Sequence, residues 1–287
     1  MPEQRRTATW LLSGPDQKGL VAKIAGFLYQ HGANILHADQ HQDSSVGMFF
    51  QRIQFELDGM DLTFEQVKQA ADPLVQELGM RSQLLSSEQR KRVAILVSRP
   101  GHCLLDLLLR ARAGELRGDF VLVISNHDDH REMVTALGLP YYTFPITKET
   151  KPEQEHAIIE LLRRESIDLV ILARYMQILG KEFVSAFPYR IINIHHSFLP
   201  AFVGAKPYHQ AYERGVKLIG ATSHYVTEEL DAGPIIEQET VRVSHRDSIE
   251  DLLRKGRDLE KLVLARAVRY HLEDRVLVYA NKTVVFD

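Results

Sequence analysis

Cysteine is almost absent: Cys103 is the single one among 287 residues. One thiol cannot close an intrachain disulfide or supply a four-cysteine zinc site, so a disulfide scaffold and a zinc ribbon are both excluded. The compartment this predicts is the reducing cytoplasm. Long hydrophobic runs are missing too. No stretch reaches the ~18 apolar residues of a membrane span, and Met1-Pro2-Glu3-Gln4-Arg5-Arg6 leads into an alternating segment without the apolar core of a secretory signal. We therefore expect no targeting segment and no membrane partner. Positive charge is not in excess: 35 Lys and Arg against 38 Asp and Glu leave a formal net charge of −3. That balance provides no field for a phosphate backbone and argues against nucleic-acid partners, leaving small molecules as the expected ligands. A Gly-x-Ser-x-Gly elbow, a phosphate loop ending in Lys-Ser/Thr and a Rossmann glycine triplet are all lacking.

What is present is an ordinary globular balance, 45% hydrophobic and 25% charged, in a chain long enough for two cores. The first part reads as a strand at Thr7–Ser13, a helix at Gln17–His31 and strands at Ala33–Gln42 and Met48–Leu57. A helix at Phe64–Leu78 and a short strand at Arg81–Leu85 follow. This order is βαββαβ, a ferredoxin-like sandwich whose helices cover one sheet face and leave the other needing a partner. Leu20, Ile24, Phe27 and Leu28 form the inward stripe of the first helix, with Asp16 as candidate N-cap and Gly32 as its stop. The polar, basic run Ser86-Ser87-Glu88-Gln89-Arg90-Lys91-Arg92 reads as a linker. It divides the chain into a domain over 1–85, a linker over 86–91 and a second domain over 92–287. In the second domain near-continuous apolar runs (Val93–Val97, Phe120–Ile124, Leu169–Ala173, Ile191–Ile194) alternate with helical patterns, predicting a mostly parallel α/β sheet. Lys217–Val226 and Pro234–Val243 read as an antiparallel addition, and Ser248–His271 as a closing helix.

The densest group of chemically able residues is Asn193-Ile194-His195-His196-Ser197-Phe198-Leu199-Pro200 at the end of an apolar strand, followed by His224 and Asp231. Side chains alternate along a strand, so Asn193 and His195 share a face. An amide donor, an imidazole and a carboxylate together suit acyl-group chemistry. Each residue also has an ordinary reading, His195 as a polar group at a strand end and Asp231 as turn chemistry before Ala-Gly-Pro. His196, His209 and His224 with Asp231 have the donor types of a metal site, but no close ligand spacing, and we expect no metal.

Asn193-Ile194-His195-His196-Ser197-Phe198-Leu199-Pro200-Ala201-Phe202, joined to His224-Tyr225-Val226 and Glu229-Leu230-Asp231-Ala232-Gly233-Pro234-Ile235-Ile236, resembles the folate-dependent formyltransferase family. The two segments are similar to its Asn-x-His-x-Ser-Leu-Leu-Pro and His-x-Val…Asp-x-Gly-Pro elements. From Arg92 onward the resemblance implies a Rossmann-like formyltransferase fold with Asn193, His195 and Asp231 as the catalytic trio. The first part, with Gly14-Pro15-Asp16-Gln17-Lys18-Gly19 and Gly32-Ala33-Asn34-Ile35, resembles an ACT domain. An ACT module ahead of a formyltransferase domain is the layout of hydrolytic members. It implies hydrolysis of 10-formyltetrahydrofolate to formate and tetrahydrofolate, supplying formate for purine biosynthesis and balancing one-carbon pools.

One departure from the transferases favours hydrolysis. Their glycine-rich turn, which holds an acceptor's phosphate on backbone donors, is replaced here by Ser98-Arg99-Pro100-Gly101-His102-Cys103-Leu104. Formyl transfer to an amine such as glycinamide ribonucleotide, or a catalytically idle amino-acid sensor, are the alternatives. The resemblance places the pterin against Arg174, Tyr175, Met176, Gln177, Ile178 and Leu179, for which the ordinary reading is core packing. His196 and His224 are candidates for ordering water, with loop shaping as the other reading of His196. Asp16, Gly19, Asn34 and Ile35 are the implied contacts of an amino-acid effector, glycine or methionine, between paired domains. The plainer reading is that this module only builds a homo-oligomer, a dimer or tetramer. No cofactor beyond the folate substrate is expected.

Overall fold

Apolar strands and helices with one apolar stripe organise the chain. The structure, a computed structural model, describes residues 5–201 and 207–286, so Phe202 of the first motif lies outside the described residues. By internal contacts the chain divides into two units, Met1–Arg90 with Asp274–Tyr279 and Val284–Asp287, and Lys91–Glu273 with Ala280–Thr283.

The first unit contains β1 (Thr7–Pro15), α1 (Leu20–Gln30), β2 (Ile35–Asp43), β3 (Met48–Glu56), α2 (Phe64–Glu77) and β4 (Arg81–Ser86). Its antiparallel sheet has the order β2-β3-β1-β4. Trp10, Leu12, Ile53 and Phe55 of the sheet pack against Ile24 and Leu28 of α1 and Val67 and Ala71 of α2. Burying such side chains stabilises a core by about 1.5–3 kcal/mol each. α1 starts later than predicted. Gly19, at φ 90°, takes the N-cap position, and Asp16, read as the cap, instead accepts a hydrogen bond from Gln42 Nε2 at 2.5 Å. A side chain three residues before Gly19 is too far back to reach the first free N–H groups. Ser86 closes β4 and Ser87 N donates to Thr7 O at 2.9 Å, so the residues between sheet and sheet form a pinned turn.

Leu11 and Phe50 face away from the helices, as strand alternation requires. They pack with Val284 and Phe286 beside Leu277 and Tyr279. The Phe50 and Tyr279 rings are 4.4 Å apart, and Tyr279 OH donates to Asp43 Oδ2 at 2.9 Å. The sheet face expected to await a partner is therefore covered in part by the chain's own C-terminal residues. Leu277, Tyr279 and Val284 belong to two four-residue strands, Val276–Tyr279 and Lys282–Val285, too short for a hydrophobic period to reveal, and Phe286 follows the second.

The second unit comprises β5 (Lys91–Val97), α3 (His102–Arg112), β6 (Gly118–Ser125), α4 (Arg131–Ala136), β7 (Tyr141–Thr143), α5 (Lys151–Arg164), β8 (Leu169–Leu172), α6 (Lys181–Ala186) and β9 (Ile191–His195). It continues with α7 (Pro207–Arg214), β10 (Leu218–Tyr225), β11 (Ile235–Arg242) and α8 (Ile249–Leu272). The sheet order is β11-β10-β9-β8-β5-β6-β7. β5 to β9 are parallel, while β10 and β11 are the predicted antiparallel addition. The chain runs outward from β5 to β7, then returns to build β8 and β9 on the other side. This reversal opens a crevice at the C-terminal ends of β5 and β8, where ligands of such sheets sit. Among the described residues no helix is long and apolar enough to cross a membrane.

Candidate active site

β9 ends where the chemistry begins. In its antiparallel pairing with β10, Asn193 stands opposite His224 and His195 opposite Thr222. Directly opposed residues are close enough for side chains to touch, and Asn193 Nδ2 lies 3.3 Å from His224 Nε2. His224 Nδ1 donates to the carbonyl of Tyr225 at 2.9 Å, which leaves Nε2 to accept from the Asn193 amide. One Asn193 amide hydrogen then remains for a ligand. Thr222 holds the loop after His195, donating to Ser197 O at 2.8 Å and accepting from Leu199 N at 3.0 Å.

Asp231 reaches the pair from the turn between β10 and β11. Its Oδ2 lies 3.1 Å from His195 Nδ1 and its Oδ1 3.7 Å from His224 Nε2. The turn is tight: Asp231 has φ 54°, and Tyr225 N donates to Pro234 O at 2.9 Å. A Cβ on Gly233 would lie 1.8 Å from Tyr225 O, which requires glycine there. Burial pushes the Asp231 carboxyl up, but its contacts with the His195 and His224 rings outweigh it and hold the group well below the usual carboxylate range. A carboxylate only accepts, so His195 donates to it from Nδ1. Its Nε2 is buried and has no hydrogen-bond partner among the described residues.

The expected pterin loop follows β8 and is clamped at both ends. At its start Ser98 N donates to Arg174 O at 3.2 Å, and Ser98 Oγ accepts from Met176 N at 2.9 Å. At its end Gly180 N donates to the buried Glu155 carboxylate at 3.0 Å, and a Cβ on Gly180 would lie 2.5 Å from that oxygen. Between the clamps Tyr175 points into the core, whereas Met176 and Ile178 are 55% and 62% exposed. These exposed apolar side chains stand on a loop fixed at both ends. Together with Asn193, His195, Asp231 and Leu230 they line a cavity of about 680 Å³, within the range of small-molecule sites.

The cavity's inner wall contains residues that motif reading missed: His102, Tyr208 and Glu260. Glu260 is 1% exposed, with Oε2 2.7 Å from His102 Nε2 and Oε1 accepting from Tyr208 OH at 2.9 Å. Burial pushes its carboxyl up, but the hydrogen bond from His102 and the Arg174 charge keep it below its usual value. The available signal was spacing: Gly256, Leu259, Glu260, Val263 and Leu264 fall on the buried stripe of α8. Gly256 also leaves room for Tyr208, since a Cβ would lie 2.2 Å from its hydroxyl. His102, Cys103 and Glu260 place ligand atoms within 4.8 Å of one another. The Glu260 oxygens are already engaged, however, and burial pushes the Cys103 thiol up.

His196 stacks on His195 with ring centroids 5.1 Å apart. Burial, then the Arg174 charge, push its imidazole down to about 4, so it is neutral near pH 7. The trio, His196, His224 and the loop from Arg174 to Leu179 thus line one cavity. The effector residues are not gathered in the same way. Asp16 and Gly19 precede α1, while Asn34 and Ile35 follow it, and its 11 residues separate the two groups by about 16 Å.

A parallel sheet extended by an antiparallel hairpin, with amide, imidazole and carboxylate at its strand ends, is the arrangement of a formyl transferase domain. The formyl transferase family profile matches residues 91–268, and the ACT domain profile matches residues 9–71. The chain is 56% identical to the formyltetrahydrofolate deformylase of Synechocystis sp. over 283 residues, covering 99% of each. It is 50% identical to that of Bacillus subtilis over 278 residues, 96% of this chain and 93% of the relative. The crystal structure of a formyltetrahydrofolate deformylase from Pseudomonas syringae pv. tomato is 51% identical. It superimposes with a TM-score of 0.97 over 100% of this chain and 96% of that one. The chain belongs to the formyltetrahydrofolate deformylase family.

Proposed function

We propose that this protein hydrolyses 10-formyltetrahydrofolate to formate and tetrahydrofolate, with Asn193, His195 and Asp231 performing the reaction. The observation that carries this is the His195–Asp231 contact at 3.1 Å with His195 Nε2 left open in the cavity. Water attacks the formyl carbon while His195 Nε2 takes its proton, and the imidazolium that forms is paired with Asp231. Asn193 Nδ2 donates to the oxyanion, and donors so placed stabilise a transition state by roughly 2.7–4 kcal/mol. The C–N10 bond then breaks as His195 returns the proton to N10, and formic acid ionises to formate. His196, neutral and stacked on His195, positions that ring and the water beside it.

The pterin occupies the slot formed by Met176, Gln177, Ile178 and Leu179. Released formate feeds purine synthesis and tetrahydrofolate rejoins the one-carbon pool, in the cytoplasm that a single reduced thiol suits. For the ACT module, an amino-acid effector touching Asp16 and Gly19 as well as Asn34 and Ile35 needs a second copy, because one chain places the groups at opposite ends of α1. Glycine and methionine are the candidates.

Purified protein incubated with 10-formyltetrahydrofolate and no amine should release formate and tetrahydrofolate in equal amounts, and Asp231→Asn should abolish it. Release only after an amine is added would replace hydrolysis with transfer.

A further inference from the structure

The inner end of the cavity holds a cation that this chemistry leaves unused. Arg174 lies at φ 64°, a left-handed conformation that residues other than glycine seldom adopt. It is kept there by the two Ser98 hydrogen bonds that flank it. The kink turns the side chain inward, where it is 14% exposed with Nε 3.5 Å from Glu260 Oε2. Nε and Nη1 are buried and have no hydrogen-bond acceptor among the described residues, while the Glu260 oxygens accept from His102 and Tyr208. Buried donors are nearly always satisfied, so two open on one guanidinium facing a cavity point to an acceptor that arrives with a ligand.

We propose that Arg174 receives a small carboxylate of the size of formate through these donors. The inference rests on the hydrolytic reading given above. Hydrolysis leaves a carboxylate beside Asp231, whose own ionised carboxyl repels it. The Arg174 guanidinium lines the same cavity, and its planar fork matches a carboxylate. Formate moves from the carbon where it forms to the inner wall, which clears the space between His195 and the pterin slot. This separates Arg174 from the other loop residues: they hold the ring, and it holds the product. The folate's own glutamate carboxylates share this chemistry, so the test must tell the two sources apart.

The test is a titration of the full chain with ¹³C-formate, read by line broadening, alongside formate inhibition of turnover and tetrahydrofolate affinity in the same samples. Formate should bind wild type saturably, and Arg174→Gln should weaken it by about tenfold or more. Arg174→Lys should restore part of the loss. Glu260→Gln, which removes the competing carboxylate, should tighten formate, an effect a merely structural role would not produce and one that still decides the matter if Arg174→Gln does not fold. Formate that fails to bind wild type, or binds all four proteins equally, overturns the proposal. So does a loss of tetrahydrofolate affinity parallel to that of formate in Arg174→Gln, which would assign the donors to the folate tail. Formate binding with this pattern in a protein that does not hydrolyse the formyl folate would retain the Arg174 site and reject the hydrolytic reading.

Discussion

Asp231→Asn exchanges one oxygen for an amide nitrogen and removes one unit of charge, so it isolates electrostatics at the site. Asn fills the same volume, and its Oδ1 can still accept the His195 Nδ1 proton. Circular dichroism and the melting temperature should therefore stay close to wild type. What disappears is a negative charge 3.1 Å from His195 Nδ1, and at an effective dielectric constant near 20 two unit charges at that distance attract by about 5 kcal/mol. If His195 is fully charged in the transition state, turnover falls by close to ~10⁴-fold. If His195 stays neutral, only the extra strength of a charge-assisted hydrogen bond is lost, about 1 kcal/mol or roughly fivefold. Formate release, followed with a coupled formate dehydrogenase at saturating substrate, separates the cases. A folded variant that loses less than about 100-fold refutes the proton-carrying role of His195.

Gly233→Ala should displace the turn that carries Asp231, because the new Cβ would sit 1.8 Å from Tyr225 O; activity should fall more than melting temperature, and unchanged turnover would contradict the geometry. Ser98→Ala removes the acceptor of Met176 N, worth about 1 kcal/mol, so KM for the folate should rise roughly fivefold with kcat less affected. His271 accepts from Tyr225 OH at 2.7 Å, and burial pushes its imidazole down to about 3. Its folded value lies below the unfolded one of about 6.5, so its stabilising contribution is complete above that value and is lost as pH falls toward 3. Between neutral pH and pH 5 this costs about 2 kcal/mol, and chemical denaturation of His271→Gln should show a flatter acid dependence than wild type.

The parts legible in the sequence were those with a repeating pattern. The βαββαβ order follows from apolar periods of 2 and 3.6, the strand–helix alternation after residue 91 from continuous apolar runs between helical patterns, and the structure holds both. Asn193, His195 and Asp231 could be singled out at a strand end and in a glycine turn, and their grouping as a trio rested on the family resemblance. Glu260 could not, since one carboxylate in a charged helix reads as solvated until its stripe is counted. α6 and α7, at six and eight residues, and the two C-terminal strands were too short to carry a pattern. Arg174 was found for its place in a loop, while its orientation depends on a left-handed backbone that nothing in its side chain announces.

Val284 and Phe286, which cover part of the outer face of the first sheet, make that unit discontinuous in sequence. During synthesis β1 to β4 emerge early, yet Leu11 and Phe50 stay uncovered until the residues around 276–286 have been made. The unit that begins first is thus among the last to finish. A nascent chain stalled anywhere in the second unit would present an unfinished sheet with apolar residues showing, the kind of surface on which chaperones act.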